Sequence, residues 1–315
     1  MPEIIAEFCQ NHLGDREIMK RMIDQAVSAG ADFAKIQTIH SEDLSHRQRF
    51  EEGVMKNGKV EVIKRPFQPE YERLKAIDID LDTHRWFIDQ CHQSGIKALT
   101  TAFTRGVVDE LGRMEWDGIK VASYDCASFP LLRDLAEKFD RIFVSTGATY
   151  DHEIERAAGI LKEKDLTLLH CVTIYPTPLD QLHLKRMGFL RKYSSKVGFS
   201  DHSLVARDGI KASLAALHLG ADVIERHFTV LEEDKTKDGP VSINQKQLEN
   251  IVRFAHLSPN EQRAIIEDQL PEFTITLGES HRGLSKEELL NRDYYRGRFV
   301  TKAADGTEKS NWEED

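Results

Sequence analysis

Cysteine is scarce in this chain, with four in 315 residues (Cys9, Cys91, Cys126 and Cys171), far apart and without paired spacing. That excludes a disulfide framework and predicts free thiols in a reducing compartment. No apolar run approaches membrane-spanning length, and no basic and apolar leader precedes Pro2-Glu-Ile-Ile. The expectation is a cytoplasmic protein with no membrane partner. Positive charge is in deficit, at a formal net charge of −10, and no Lys/Arg-rich stripe stands against the acidic background. Nucleic acid is therefore not an expected partner, although a few lysines in one cleft could still attract a small anion. Nor does G-x-G-x-x-G follow the first apolar run, which weakens a dinucleotide-binding reading.

What is present is an alternation. Strand-like runs occur at Glu3–Cys9, Phe33–Thr38, Lys97–Phe103, Gly118–Ser123, Arg141–Thr146, Leu166–Val172, Lys196–Asp201 and Val223–Thr229. Amphipathic stretches at 16–29, 81–94, 105–114, 129–139, 152–162, 179–193, 207–219 and 244–257 follow them. Eight such alternations predict a single (β/α)8 barrel over residues 1–282, and 40% hydrophobic residues suffice for its core. Two parts stand outside that repeat. A long polar connection, Ile39 to Asp80, follows the second strand and reads as a lid or acceptor-binding loop, and a linker-like tail, 283–315, ends in a polar, solvated piece, Lys309–Asp315.

In a barrel the chemistry gathers where strands end, so the polar residues there are site candidates. Glu7 stands on the first strand, Lys35 and Gln37 on the second, Thr100 and Thr101 on the third. Lys120, Ser123 and Asp125 follow on the fourth, Ser145 and Thr146 on the fifth, Thr173 and Tyr175 on the sixth. The last two strands bring Ser200, His202, Glu225 and His227. As parallel neighbours they would let His202 and His227 converge, with Asp201 and Glu225 beside them, as a divalent-metal site with open positions. Lysine inside the apolar runs Phe-Ala-Lys-Ile-Gln and Gly-Ile-Lys-Val-Ala-Ser must meet an anion. That anion is a phosphate or carboxylate of a substrate, or else a barrel carboxylate such as Glu7 or Asp125; a Schiff-base lysine is the competing chemistry.

Seven motifs in order, Ala6-Glu-Phe-Cys-Gln-Asn-His-Leu-Gly14, Ala34-Lys-Ile-Gln-Thr38, Lys120-Val-Ala-Ser123, Ser145-Thr-Gly147, Leu169-His-Cys-Val-Thr-Ile-Tyr-Pro-Thr-Pro178, Gly198-Phe-Ser-Asp-His202 and Ile224-Glu-Arg-His-Phe228, resemble the sialic acid synthase family. The resemblance implies a metal-dependent barrel enzyme that condenses phosphoenolpyruvate with an open-chain N-acylated aminosugar, giving a nonulosonic acid and phosphate. It implies His202 and His227 as metal ligands, with manganese the usual cation and magnesium or cobalt as alternatives. Lys35, Thr101, Lys120, Ser123, Tyr175 and Ser200 would contact phosphoenolpyruvate, and Gln37 and Asp125 the sugar. Lys120 would act in catalysis with Glu7 and Glu225, which would serve proton transfer or water activation.

The chain also departs from the family pattern. Asp238-Gly-Pro-Val241 stands where the family has Gly-Pro-Asp, so a carboxylate near the metal is missing or displaced to Asp238, and Thr173 replaces the usual asparagine. The small antifreeze-like domain that completes the partner subunit's sugar site in most members is not expected here. The loop is then the expected cover of the sugar pocket, with the tail packed on the barrel or on a second subunit of a homodimer. A metal-dependent or Schiff-base sugar aldolase and a catalytically silent sugar-binding barrel are the competing functions.

Overall fold

Parallel pairing of short β-branched and aromatic runs builds the centre of the molecule. The computed structural model describes residues 1–312, so the last three residues of the expected solvated end lie outside the described residues. Eight strands form: β1 (Glu3–Cys9), β2 (Phe33–Thr38), β3 (Lys97–Ala102), β4 (Ile119–Val121), β5 (Arg141–Ser145), β6 (Asp165–His170), β7 (Lys196–Asp201) and β8 (Val223–His227). They close in sequence order, with β8 returning to β1 in a register that sets Glu3 beside Val223 and Glu7 beside His227. The fold is the expected (β/α)8 barrel.

Alternation along the strands divides the interior into layers. Ile5, Phe33, Leu99, Phe143, Leu169 and Val223 form one buried apolar layer, with Phe33 and Phe143 edge to face at 5.6 Å. Two residues further along five of these strands stand Glu7, Lys35, Thr101, Ser145 and Glu225. The floor is therefore apolar and the next layer polar. Gly198 on β7 is required by crowding: an added Cβ would lie 2.3 Å from the Val223 carbonyl oxygen and 2.6 Å from Leu169 Cδ2.

A larger apolar cluster joins the outer strand faces to the surrounding helices through residues such as Phe8, Met22, Phe87, Ile224 and Ile251. The patterned stretch 207–219 divides at Gly209 (φ +57°) into helices Val205–Asp208 and Lys211–His218. In 179–193, where His183 takes φ +51°, only Leu179–Gln181 and Arg186–Leu190 are helical. Beyond Leu257, where apolar periodicity fades, the helix Pro259–Gln269 forms behind a Ser258/Glu261 capping box.

The long connection is not a bare loop. It holds helices Arg49–Glu52 and Phe67–Lys75 and an exposed hairpin of Val54–Lys56 with Lys59–Val62. The tail forms helix Lys286–Tyr295 and a hairpin of Val300–Lys302 with Glu308–Ser310. Loop and tail pack on one another: Leu44 bridges Phe299, the Ser45 amide donates to the Arg298 carbonyl at 2.9 Å, and Phe50 meets Tyr294 edge to face at 5.1 Å. Among the described residues no helix is long and apolar enough to cross a membrane.

Candidate active site at the carboxyl edge of the barrel

Register places polar partners side by side, since Glu7 on β1 pairs with Lys35 on β2, and Glu225 on β8 with Ser200 on β7. Lys35 Nζ forms an ion pair with the Glu7 carboxylate, lies 3.4 Å from Glu225 Oε2, and donates to Thr101 Oγ1 at 3.0 Å. Lys120 Nζ lies 3.7 Å from Glu225 Oε1 and donates to Ser145 Oγ at 2.7 Å and the Val121 carbonyl at 3.1 Å. Ser200 Oγ donates to Glu225 Oε1 at 2.7 Å, and Gln37 Nε2 to Glu7 Oε1 at 3.2 Å. All but Gln37 are buried.

The anion that the two lysines require is thus, in this structure, a pair of barrel carboxylates. Burial alone would depress the pKa of Lys35, but Glu225 and Glu7 outweigh it and raise the value. For Lys120 burial wins over the attraction of Glu225 and lowers the pKa. Burial opposes ionisation of Glu225 as well, yet Lys120, Lys35 and the Ser200 hydroxyl hold its carboxyl well below the usual range.

The two histidines converge where β7 and β8 end. Their rings stand 5.1 Å apart, and the half-exposed Tyr175 ring lies 4.2 Å from that of His202. Burial, then the neighbouring His227, holds the pKa of His202 well below its ordinary value, which leaves it as the neutral imidazole that ligates metals. His227 Nδ1 is buried without a hydrogen-bond partner among the described residues. Donor atoms of Cys9, His227 and Asp238 all lie within 4.8 Å of one another, so Asp238 brings a carboxylate beside His227. Imidazole and carboxylate donors at a buried strand edge fit a divalent cation. Asp201 does not join them. Ser200 and His202 share the inner face, so Asp201 points outward, where it pairs with Arg226 at 2.6 Å, both fully buried, and accepts from Ser213 Oγ.

Across the barrel mouth lie Ser123 and Asp125, in the turn after β4. Ser123 Oγ accepts from the Gly147 amide at 3.3 Å, and Asp125 faces the tail. Asn311 Nδ2 donates to Asp125 Oδ1 at 3.3 Å and to the Phe103 carbonyl at 2.7 Å, and its Oδ1 accepts from the Arg105 amide. Tyr295 stacks on Tyr124 at 4.5 Å, and the Arg296 guanidinium lies over the Trp312 ring at 3.4 Å. Burial pushes Asp125 up to about 7, against the opposing pull of Asn311 and Arg296. The sequence predicts a solvated end here and gives the covering role to the loop, whereas the tail inserts a buried asparagine beside the sugar candidate. The loop also lies at the mouth, where Arg73 Nη1 donates to Gln10 Oε1 at 2.7 Å after β1 and Thr104 Oγ1 donates to Asp43 Oδ2 at 3.2 Å after β3.

Twelve predicted site residues thus fall into a connected charge core (Glu7, Lys35, Gln37, Thr101, Lys120, Ser200, Glu225), a histidine pair beside Tyr175, and a far wall at Ser123 and Asp125. Ser145, a strand-end candidate given no role, joins the core through Lys120. Sequence reasoning gives no site role to Asn311 and treats Cys9 as a free thiol; the inward phase of β1 was the available signal for Cys9.

Comparisons with known proteins place the chain among its relatives. The chain is 31% identical over 314 residues to the N,N'-diacetyllegionaminic acid synthase of Campylobacter jejuni, covering 95% of this chain and 84% of that protein. It is 29% identical to the pseudaminic acid synthase of the same species, covering 95% and 81%. Among solved structures, the N-acetylneuraminic acid (sialic acid) synthetase of Leptospira borgpetersenii, in complex with citrate, superposes with a TM-score of 0.69 at 27% identity, over 93% of this chain and 91% of that one. The NeuB family model matches residues 22–260, which include every sequence-predicted site residue except Glu7, and the chain belongs to the NeuB family.

Proposed function

We propose that this chain condenses phosphoenolpyruvate with an open-chain N-acylated aminosugar, of the N-acetylmannosamine type, to give a nonulosonic acid and inorganic phosphate. The observation that carries the reading is the placement of two buried lysines, Lys35 and Lys120, on either side of Glu225, on the strand that ends at His227. The names of the relatives, synthases of legionaminic and pseudaminic acids, support the product class.

In this reading the donor's phosphate and carboxylate replace Glu7 and Glu225 as the partners of the ammonium groups. Thr101, Ser123, Ser200 and Tyr175 complete the donor site, while Gln37 and Asp125 orient the sugar. A divalent cation held by His202 and His227, manganese by family resemblance, would polarise the acceptor aldehyde. The vinylic carbon of the donor bonds to the aldehyde carbon, whose oxygen takes a proton, and the positive charge left at the donor's central carbon is met by water. Glu7 or Glu225 accepts the proton of that water. As the carbon–oxygen bond to phosphate breaks, the hydroxyl proton of the tetrahedral adduct passes to the leaving phosphate, and the ketone of the product remains. The buried free thiols suit a cytoplasmic setting, and a homodimer is the expected assembly.

Phosphate release with phosphoenolpyruvate and a panel of N-acylated aldoses, with and without manganese, tests the proposal. Release should require both acceptor and cation, and chelation should abolish it while circular dichroism stays unchanged. No release with any acceptor would overturn it. The lowered pKa of Lys120 favours a second reading, a Schiff-base aldolase, which predicts a borohydride-reducible adduct at that lysine.

A further inference from the structure

We infer that Cys9 is a thiolate ligand of the same cation, so that the centre is a Cys9, His202, His227 and Asp238 set and not two histidines alone. This rests on the metal-dependent reading above and adds the identity of the remaining donors.

Two segments distant in sequence converge, the end of β1 and the stretch that runs from the end of β8 to Asp238. Cys9 Sγ lies 3.0 Å from Asp238 Oδ2, and these groups share the 4.8 Å cluster with a ring nitrogen of His227. Cys9 and His227 are 5% and 7% exposed, too buried for a chance surface meeting of polar groups. The backbone is shaped to bring the thiol there. Pairing of β1 with β2 shifts register between Glu7 and Cys9, and Cys9 takes φ +49°, the left-handed region in which a side chain is uncommon. Such conformations cost free energy and cluster where a site needs them. The opposite donor is tied to the same strand end: Asn11 Nδ2 donates to Ser242 Oγ at 2.9 Å, and that hydroxyl donates to the Asp238 carbonyl at 2.6 Å.

A weak S–H donor to one carboxylate would not call for this arrangement. The other cysteines differ: Cys91 and Cys126 belong to the apolar cluster, and Cys171 lies 3.6 Å from His202 Nδ1, outside the three-donor group. On binding, the S–H bond of Cys9 breaks, a sulfur–metal bond forms, and the proton leaves to solvent. A thiolate is a soft donor and shifts preference from magnesium toward cobalt, zinc or iron(II).

Cobalt(II) chloride added to the chelator-treated full chain reads the ligand directly, because a thiolate ligand adds a near-ultraviolet charge-transfer band to the visible d–d bands. Both should appear in the wild type. Cys9→Ser and Cys9→Gly at saturating cobalt should lose the near-ultraviolet band and keep the visible ones, with glycine well suited to the +49° backbone. Cys171→Ser should keep both. Visible bands without the near-ultraviolet band in the wild type, or loss of that band in Cys171→Ser but not in Cys9→Ser, would overturn the assignment and leave the histidine centre standing. No cobalt bound by the wild type would overturn both.

Discussion

Removing the ammonium of Lys35 would strand the buried carboxylate of Glu7 and leave Glu225 with Lys120 alone as its cationic partner. Lys35→Met should therefore destabilise the chain by about 3–5 kcal/mol, and the double variant with Glu7→Gln should recover part of that loss; urea unfolding measures both. Asp125 makes the opposite demand on pH. Burial pushes its folded pKa up to about 7, above the ordinary 3.8 of an aspartate, so between those values the folded state holds a proton that the unfolded state has lost. Stability from this group is complete below pH 4 and falls as pH rises through 7, by at most ~1.4 kcal/mol per pH unit. Asp125→Asn should flatten that slope, a difference visible in melting temperatures between pH 4 and pH 8. At this scale the inward residues were legible, because alternation fixes the face of Lys35, Glu225 and His202 once a strand is recognised. The same rule already assigned Asp201 to the other face; proximity to His202 in sequence obscured it. Asn311 was not legible, because an asparagine in a polar tail carries no local sign of burial.

Elements differ in how far their sequence speaks for them. The eight strands were readable from composition and period, and the helix Pro259–Gln269 could have been found from its capping box instead of its faint apolar period. The division at Gly209 and the pairing of tail with loop depend on contacts between distant segments. Gly198 is the strand position with least latitude. Gly198→Ala would set a methyl group against the Val223 carbonyl and Leu169, so a loss of roughly 1–3 kcal/mol or more in urea unfolding is expected, with no change in the cysteines or charges of the site. The tail gives a functional counterpart. Asn311→Ala removes the donor that faces Asp125, and it should raise the acceptor Michaelis constant while leaving that for phosphoenolpyruvate within about twofold, since the lysines are untouched. Equal changes in both constants would show that the tail supports the barrel as a whole and not the acceptor wall.

At the scale of the whole molecule, residues 283–312 fold against the barrel mouth of the same chain, and that has a kinetic meaning. Tyr295, Arg296 and Asn311 reach the Asp125 side along the same backbone that forms the strands. A tethered wall has a fixed effective concentration, whatever the amount of protein in the tube. Turnover per chain and acceptor affinity should therefore be the same in micromolar and nanomolar enzyme, even if subunits separate over that range. An acceptor Michaelis constant that climbs on dilution would mean that a second chain supplies part of the wall.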